Sequence, residues 1–319
     1  MACVAIIGCG LIGKAWTVAF LRGGHSVTLW DAESDAVTRL CDALPETLEE
    51  LRRYDLLQED TGPLLARLKA CDSIEQALDD ADHVQENTPE ILDSKRDIFA
   101  RLDGAAGPHT VLASSTSGLL PSAIFAGLKH PERCLTAHPI NPPYLVPAVE
   151  IVPGPETDPT VVDRTADLMK SLGQEPIVMA KEIDGFLMNR LQGALLDEAF
   201  RLVAEGYASA EDVDIGIRDG LALRWAFMGP FETIDLNAPG GVADYVARYG
   251  PMYRRIAEAI PAEPDWTGPV LDTIEADRRA RLPIADLPAR QSWRNRRLMA
   301  LIQHKAQTTM DSASKDQGS

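Results

Sequence analysis

The chain is short of positive charge, of paired cysteines and of long apolar runs, and each shortage removes a class of function. Its 31 Lys and Arg stand against 48 Asp and Glu, a net charge of −17 at pH 7. Nucleic acid and anionic membranes are met through basic surface that displaces counterions or pairs with head groups, so neither is an expected partner. The charge mostly serves solubility. The five cysteines, Cys3, Cys9, Cys41, Cys71 and Cys134, are odd in number, scattered and never spaced as CxxC. No disulfide framework, zinc knuckle or other metal site is expected, and a reducing cytoplasm fits. The one long apolar stretch, CVAIIGCGLIGKAWTVAFL at residues 3–21, contains Lys14 and three glycines with no basic segment before it. A signal peptide or membrane span is a poor reading of it.

What is present organises into two parts. A length of 319 residues exceeds one ordinary domain. Short apolar or β-branched runs at CVAII, SVTLWD, DHVQEN, TVLASST, RCLTAH, VEIV and PIVMAK alternate with helical patterns, which predicts a mostly parallel sheet covered on both faces. Residues 46–70 have helical spacing broken at Gly62 and Pro63, so a helical hairpin is expected after the second strand. Strand patterns stop near Lys181. The segment DGFLMNRLQGALLDEAFRLVAEG then reads as a helix capped at Asp184 and closed by Gly206. The boundary is placed at 183, with an all-helical domain over 184–319 that pairs with a copy of itself. The final KAQTTMDSASKDQGS has little to bury and is expected to be a disordered tail.

The first strand runs into VAIIGCGLIGKAW, which places Gly8, Gly10 and Gly13 in GxGxxG at the start of a helix. The first glycine permits the turn, the second admits a pyrophosphate to the backbone, and the third lets helix and strand pack closely. The orphan N–H groups of the first turn, at Leu11 and Ile12, would face the phosphates. Asp31 ends the second strand eighteen positions after Gly13, where it would accept from the adenosine ribose hydroxyls. Glu33 and Asp35 add negative charge, and no arginine occurs among residues 32–36, so NAD is favoured over NADP.

A second motif is AHPINPPYLVPAVE at residues 137–150. Pro139, Pro142, Pro143 and Pro147 leave His138 little backbone freedom, which is the signature either of a positioned imidazole or of an ordinary stiff loop.

Taken together, GCGLIG, ASSTSGLLPS, HPINPP, VEIV, GFLMNRL and MGPFE resemble the 3-hydroxyacyl-CoA dehydrogenase family across both halves. HPINPPYLVPAVEIVPGPET, RWAFMGPFET and ARQSWRNRRL are most similar to its lambda-crystallin and L-gulonate 3-dehydrogenase branch. The resemblance implies an N-terminal Rossmann-type doubly wound sheet, an all-helical C-terminal domain, NAD as cofactor and a homodimer. It implies that His138 is the catalytic base, Glu150 its orienting carboxylate, and Ser117 and Asn189 the contacts to the reacting oxygen. It also places Glu90 and Lys95 near the ribose and nicotinamide end of the cofactor. The residue types suit the chemistry: imidazole takes a hydroxyl proton near neutrality, a carboxylate fixes its tautomer, and polar donors hold the oxygen.

Two departures bear on substrate. Ser115 stands where acyl-CoA members carry asparagine, and their lysine-containing C-terminal segment is missing. Both favour a free 3-hydroxy acid, L-gulonate first, over a 3-hydroxyacyl-CoA; a carnitine-like acid and a non-catalytic, crystallin-like role are the alternatives. Arg224, a charge among apolar residues in LALRWAFMGPFE, is either paired to a local acid or the anchor of a substrate carboxylate.

Overall fold

The computed structural model describes residues 1–259 and 266–316. Eight strands form one sheet: β1 (Cys3–Ile7), β2 (Ser26–Trp30), β3 (Leu68–Ala70), β4 (His83–Glu86), β5 (Val111–Ser114), β6 (Cys134–Pro139), β7 (Ala148–Pro153) and β8 (Glu175–Val178). Their order is β3-β2-β1-β4-β5-β6-β7-β8, and every neighbouring pair is parallel except β6 with β7. The chain leaves β1 towards β2 on one side and towards β4 on the other, so the order reverses between β1 and β4. Such a switch point opens a crevice beyond the carboxyl ends of the strands.

The helices accompanying the sheet are α1 (Leu11–Arg22), α2 (Ser34–Arg53), α3 (Thr61–Leu65), α4 (Ile74–Leu78), α5 (Leu92–Ala105), α6 (Pro121–Ile124) and α7 (Pro159–Ser171). Strand alternation divides the core in two. Val4 and Ile6 join Trp16, Phe20, Leu44 and Leu48 on one face, whereas Ala5 and Ile7 join Ile74, Phe99 and Leu102 on the other. Each fully buried large apolar side chain contributes about 1.5–3 kcal/mol, so both faces of β1 are held rigidly beneath the glycine turn. The excursion expected after the second strand is α2 and α3. Its first arm begins earlier, at Ser34, and its last residues form the edge strand β3, too short to leave a periodic signal.

The chain divides into two compact units, Met1–Met188 with the segment from Arg290 onward, and Asn189–Ala289. The second unit carries α8 (Met188–Ala204, whose first residue belongs to the first unit), α9 (Ala210–Ile215), α10 (Ala222–Trp225), α11 (Pro230–Leu236), α12 (Gly241–Glu258) and α13 (Gly268–Arg281). Two expectations are corrected here. Asp184 does not cap α8, because Gly185 and Phe186 take positive φ of 74° and 49° and a right-handed helix cannot start before them. The last helix, α14 (Leu287–Asp316), returns to the first unit, so 184–319 is not one domain. Met299 is fully buried in the first core, with Leu298 and Ile302 packed beside it. The segment from Lys305, expected to be disordered, is helical as far as Asp316. Propagation from a helix already nucleated by packing adds a hydrogen bond per residue fixed, and Lys, Ala and Gln are good helix formers. Residues 317–319 of that expected tail lie outside the described residues. Among the described residues no helix is long and apolar enough to cross a membrane.

Candidate active site

The crevice is built first by glycine. Gly8, at φ 93°, ends β1 so close to the next strand's exit that an added Cβ would sit 2.8 Å from the carbonyl carbon of Asn87. A Cβ on Gly13 would fall 1.9 Å from the Gly8 carbonyl oxygen, so only glycine lets α1 lie against the turn. Gly10 is different: a Cβ there would meet nothing within 4 Å. Its surroundings are open on the side where α1 presents the unpaired N–H groups of Leu11 and Ile12, and no side chain caps that helix. Asp31 closes the other wall. Its Oδ2 accepts from the Cys9 N–H at 2.6 Å and its Oδ1 from the Glu33 N–H at 2.9 Å, leaving further lone pairs for hydroxyl donors. The cleft, about 720 Å³, is lined by Gly8, Gly10, Asp31, Asn87, Thr88 and Arg101. A glycine cradle for phosphates beside an acceptor for ribose suits an extended dinucleotide.

Beyond β4 and β5, a buried charge cluster shapes the loop carrying Ser117. Glu86 is fully buried and accepts from Thr88 N (2.6 Å), Ser114 Oγ (2.6 Å) and Lys95 Nζ (2.9 Å). Lys95 Nζ also donates to the Thr88 carbonyl at 3.1 Å and lies 3.8 Å from Glu90. Lys95 is 1% exposed, and its donors are turned inward to Glu86 and Thr88. Glu90 does reach the loop. Its Oε1 accepts from the Thr116 hydroxyl, from Ser117 N at 3.0 Å and from Gly118 N at 3.1 Å, with Ser117 Oγ at 3.5 Å. Burial pushes the Glu90 carboxyl up, but the Thr116 hydrogen bond, the Lys95 charge and the loop N–H groups outweigh it and hold it below the usual range.

His138 lies near the end of β6, directly opposite Glu150 in the antiparallel ladder with β7. Facing residues of such a pair bring their side chains together on one face. Here Nδ1 is 2.6 Å from Glu150 Oε2. Glu150 Oε1 accepts from the N–H groups of Leu187 (2.7 Å) and Met188 (2.8 Å), delivered by the left-handed turn before α8. Burial pushes the Glu150 carboxyl up, yet the His138 hydrogen bond and these two N–H groups prevail and hold it below its ordinary value. Glu150 is thus an acceptor only and Nδ1 carries the proton it accepts, which in the neutral imidazole puts the ring's lone pair on Nε2. Phe186 packs against the ring, centroids 5.7 Å apart. β6 ends at Pro139 and β7 begins at Ala148, directly after Pro147, so prolines bracket the connection between the two paired strands.

Gly8, Asp31, Ser117 and His138 therefore all follow or occupy the carboxyl ends of β1, β2, β5 and β6, on one edge of the parallel sheet. Asn189 and Arg224 belong to the second unit. Asn189 follows Met188 directly in the chain, and Arg224 lies exposed on α10 with no ion pair among the described residues. The locally paired arginine considered from sequence is not what is found.

Sequence reasoning missed a polar network beside the site. The Ser115 hydroxyl accepts from Trp16 Nε1 (3.0 Å) and Gln85 Nε2 (2.7 Å) and donates to Asn87 Oδ1 (2.7 Å). This network ties α1, β4 and the Ser117 loop together. Ser115 was marked in the sequence only as a departure from the family's asparagine, and Trp16, Gln85 and Asn87 carried no signal that they would meet it.

Comparison with known proteins follows the same division. A family described as 3-hydroxyacyl-CoA dehydrogenase, NAD binding domain, matches residues 3–183, and 3-hydroxyacyl-CoA dehydrogenase, C-terminal domain, matches residues 185–264. A lambda-crystallin homolog of Bos taurus is 44% identical over 311 residues, covering 95% of this chain and 96% of its own. An L-carnitine dehydrogenase of Pseudomonas aeruginosa is 38% identical over 302 residues, covering 93% and 92%. The solved structure of 5-formyl-3-hydroxy-2-methylpyridine 4-carboxylic acid 5-dehydrogenase, described as an NAD+-dependent dismutase, matches with a TM-score of 0.78 at 28% identity, covering 94% and 97%.

Proposed function

Because the chain belongs to the 3-hydroxyacyl-CoA dehydrogenase family and is an NAD-dependent oxidoreductase, we propose that it oxidises the C3 hydroxyl of a free 3-hydroxy acid. L-gulonate to 3-dehydro-L-gulonate is the leading reaction. The observation that carries this reading is the His138–Glu150 pair, which leaves Nε2 as a proton acceptor at the carboxyl edge of the sheet. NAD, when bound, supplies the hydride acceptor. His138 takes the hydroxyl proton, and Glu150, held ionised by two backbone N–H groups, meets the positive charge that develops on the ring. Ser117, fixed by Glu90, and Asn189 hold the reacting oxygen as it changes from hydroxyl to carbonyl. Asp31 binds the adenosine ribose and the Gly10 to Gly13 turn the pyrophosphate. Lys95 supports Glu90 from beneath.

Arg224 is assigned to the substrate carboxylate. An exposed guanidinium without an ionic partner among the described residues is available for two parallel hydrogen bonds to a carboxylate. The similarity to an L-carnitine dehydrogenase points the same way, because carnitine too is a free 3-hydroxy acid. A 3-hydroxyacyl-CoA thioester, which has no free carboxylate, is the second reading. We also assign a homodimer, formed by the second unit, whose α8, α12 and α13 bury no residue of their own, and a reducing cytoplasm, in keeping with five free cysteines.

The test is steady-state NADH formation with L-gulonate, L-carnitine, 3-hydroxybutyrate and 3-hydroxybutyryl-CoA. A kcat/KM highest for the thioester would replace the free-acid reading by the second one.

A further inference from the structure

Positions 32–36 hold no arginine, but Arg39, one helical turn beyond Asp35, lines the same cleft as Asp31. It does not stand free. Its Nη1 is hydrogen-bonded to Asp35 Oδ2, and its Nη2 lies 3.6 Å from Glu33 Oε2. Glu33 is in turn joined to the ribose-side carboxylate, its own N–H donating to Asp31 Oδ1 at 2.9 Å. Asp31, Glu33, Asp35 and Arg39 therefore form one continuous set of contacts at the mouth of the cleft. Arg101, also on its wall, is engaged differently, its guanidinium lying 5.5 Å from the Trp30 ring centre.

We propose that Glu33 and Asp35 enforce the choice of NAD by holding Arg39, a guanidinium otherwise placed to meet a 2′-phosphate. The discrimination then has two parts. Asp31 repels the phosphate at the ribose, and the acidic pair neutralises the cation that would compensate for that repulsion. Guanidinium matches phosphate in a bidentate fork, so an uncommitted Arg39 would reward NADP directly. The side chains of Arg39, Glu33 and Asp35 are 61%, 75% and 69% exposed. Exposed pairs of this kind contribute little to stability, so removing the two carboxylates frees the arginine without disturbing the core. The inference rests on the placement of the adenosine ribose at Asp31.

The experiment is fluorescence titration of NADH and NADPH into the full-chain protein, which needs no substrate. Wild type, Glu33→Gln/Asp35→Asn, the same pair with Arg39→Ala, and Asp31→Ala are compared, with thermal unfolding as the check on folding. The double variant should lower the ratio of the NADPH to the NADH dissociation constant by roughly tenfold, and Arg39→Ala on top should return most of that gain. A gain that survives intact without Arg39 would mean that lost repulsion alone explains it, overturning the inference. A ratio unchanged in the double variant overturns it too. Asp31→Ala should weaken NADH binding by about tenfold or more; unchanged NADH affinity there would instead remove the ribose placement on which the inference stands.

Discussion

Glu150 and His138 face each other across the β6–β7 ladder, and the 2.6 Å contact between Oε2 and Nδ1 is the closest link between the antiparallel turn of the sheet and its chemistry. The parallel strands supply the cofactor crevice. The single antiparallel pairing supplies the imidazole proposed as the base and the carboxylate that faces it.

Replacing His138 by alanine should lower kcat by roughly a hundredfold or more, the usual range for general acid-base catalysis. NADH affinity, read by fluorescence titration, should change little, because the ring lies at β6 and the dinucleotide cleft at β1, β2 and β4. Near-normal turnover would mean that the proline-rich stretch is only structural.

Glu150→Gln keeps the shape and removes the charge. Its side-chain amide can still meet some partners, but the imidazolium loses its carboxylate, so kcat should fall by about tenfold or more with KM moved less. Stopped-flow measurement of NADH formation separates this loss in the chemical step from slower product release.

Arg224→Met should raise KM sharply for a free acid, while Arg224→Lys rescues only in part because an ammonium lacks the planar fork. The deciding comparison is a substrate amide or ester. If Arg224→Met discriminates between acid and neutral analogue as wild type does, the carboxylate is held elsewhere.

Stability should fall as pH drops from about 6.5 towards 4. Burial pushes the His83 imidazole down to about 4, and burial together with the N-terminal charge lowers His25 as well. His83 is neutral when folded and protonated when unfolded in that window, and His25 shifts in the same sense, so the unfolded chain binds more protons and acid favours it. For His83 the full loss is on the order of 3 kcal/mol. Glu90 and Glu150, whose carboxyls are held low, stabilise above the ordinary carboxylate range and lose that contribution only at more acid pH. Thermal unfolding from pH 7 to 4 should show the slope, and His83→Gln should flatten it.

The mass in solution should be that of two chains by size exclusion with light scattering. Phe227, Phe231, Leu223 and Tyr207 are each more than half exposed in the second unit, more apolar surface than a lone soluble helical unit usually leaves uncovered. A monomer across the micromolar range would rule the pairing out.

The sequence alone determined the strands that bury apolar runs, the glycine turn after β1 and the acidic residue ending β2. These depend on short-range rules: alternation, φ available only to glycine, and fixed spacing along one βαβ unit. The identities of His138 and Glu150 were legible too, but through resemblance to a family, since eleven intervening residues say nothing about which strands pair. Tertiary structure decided their contact, because a one-residue slip in β6–β7 would send the two side chains to opposite faces. It turned Lys95 inward, since the fully buried Glu86 carboxylate needs a counter-charge, and the Thr88 carbonyl accepts from the same ammonium. It returned α14 to the first unit and carried the helix through a polar tail, because Met299 found an apolar core that lies far away in sequence. It made Ser115 a hub and Arg39 part of the cofactor cleft. No local pattern announces either role, because each depends on partners on other elements or on the cleft that several strands build together.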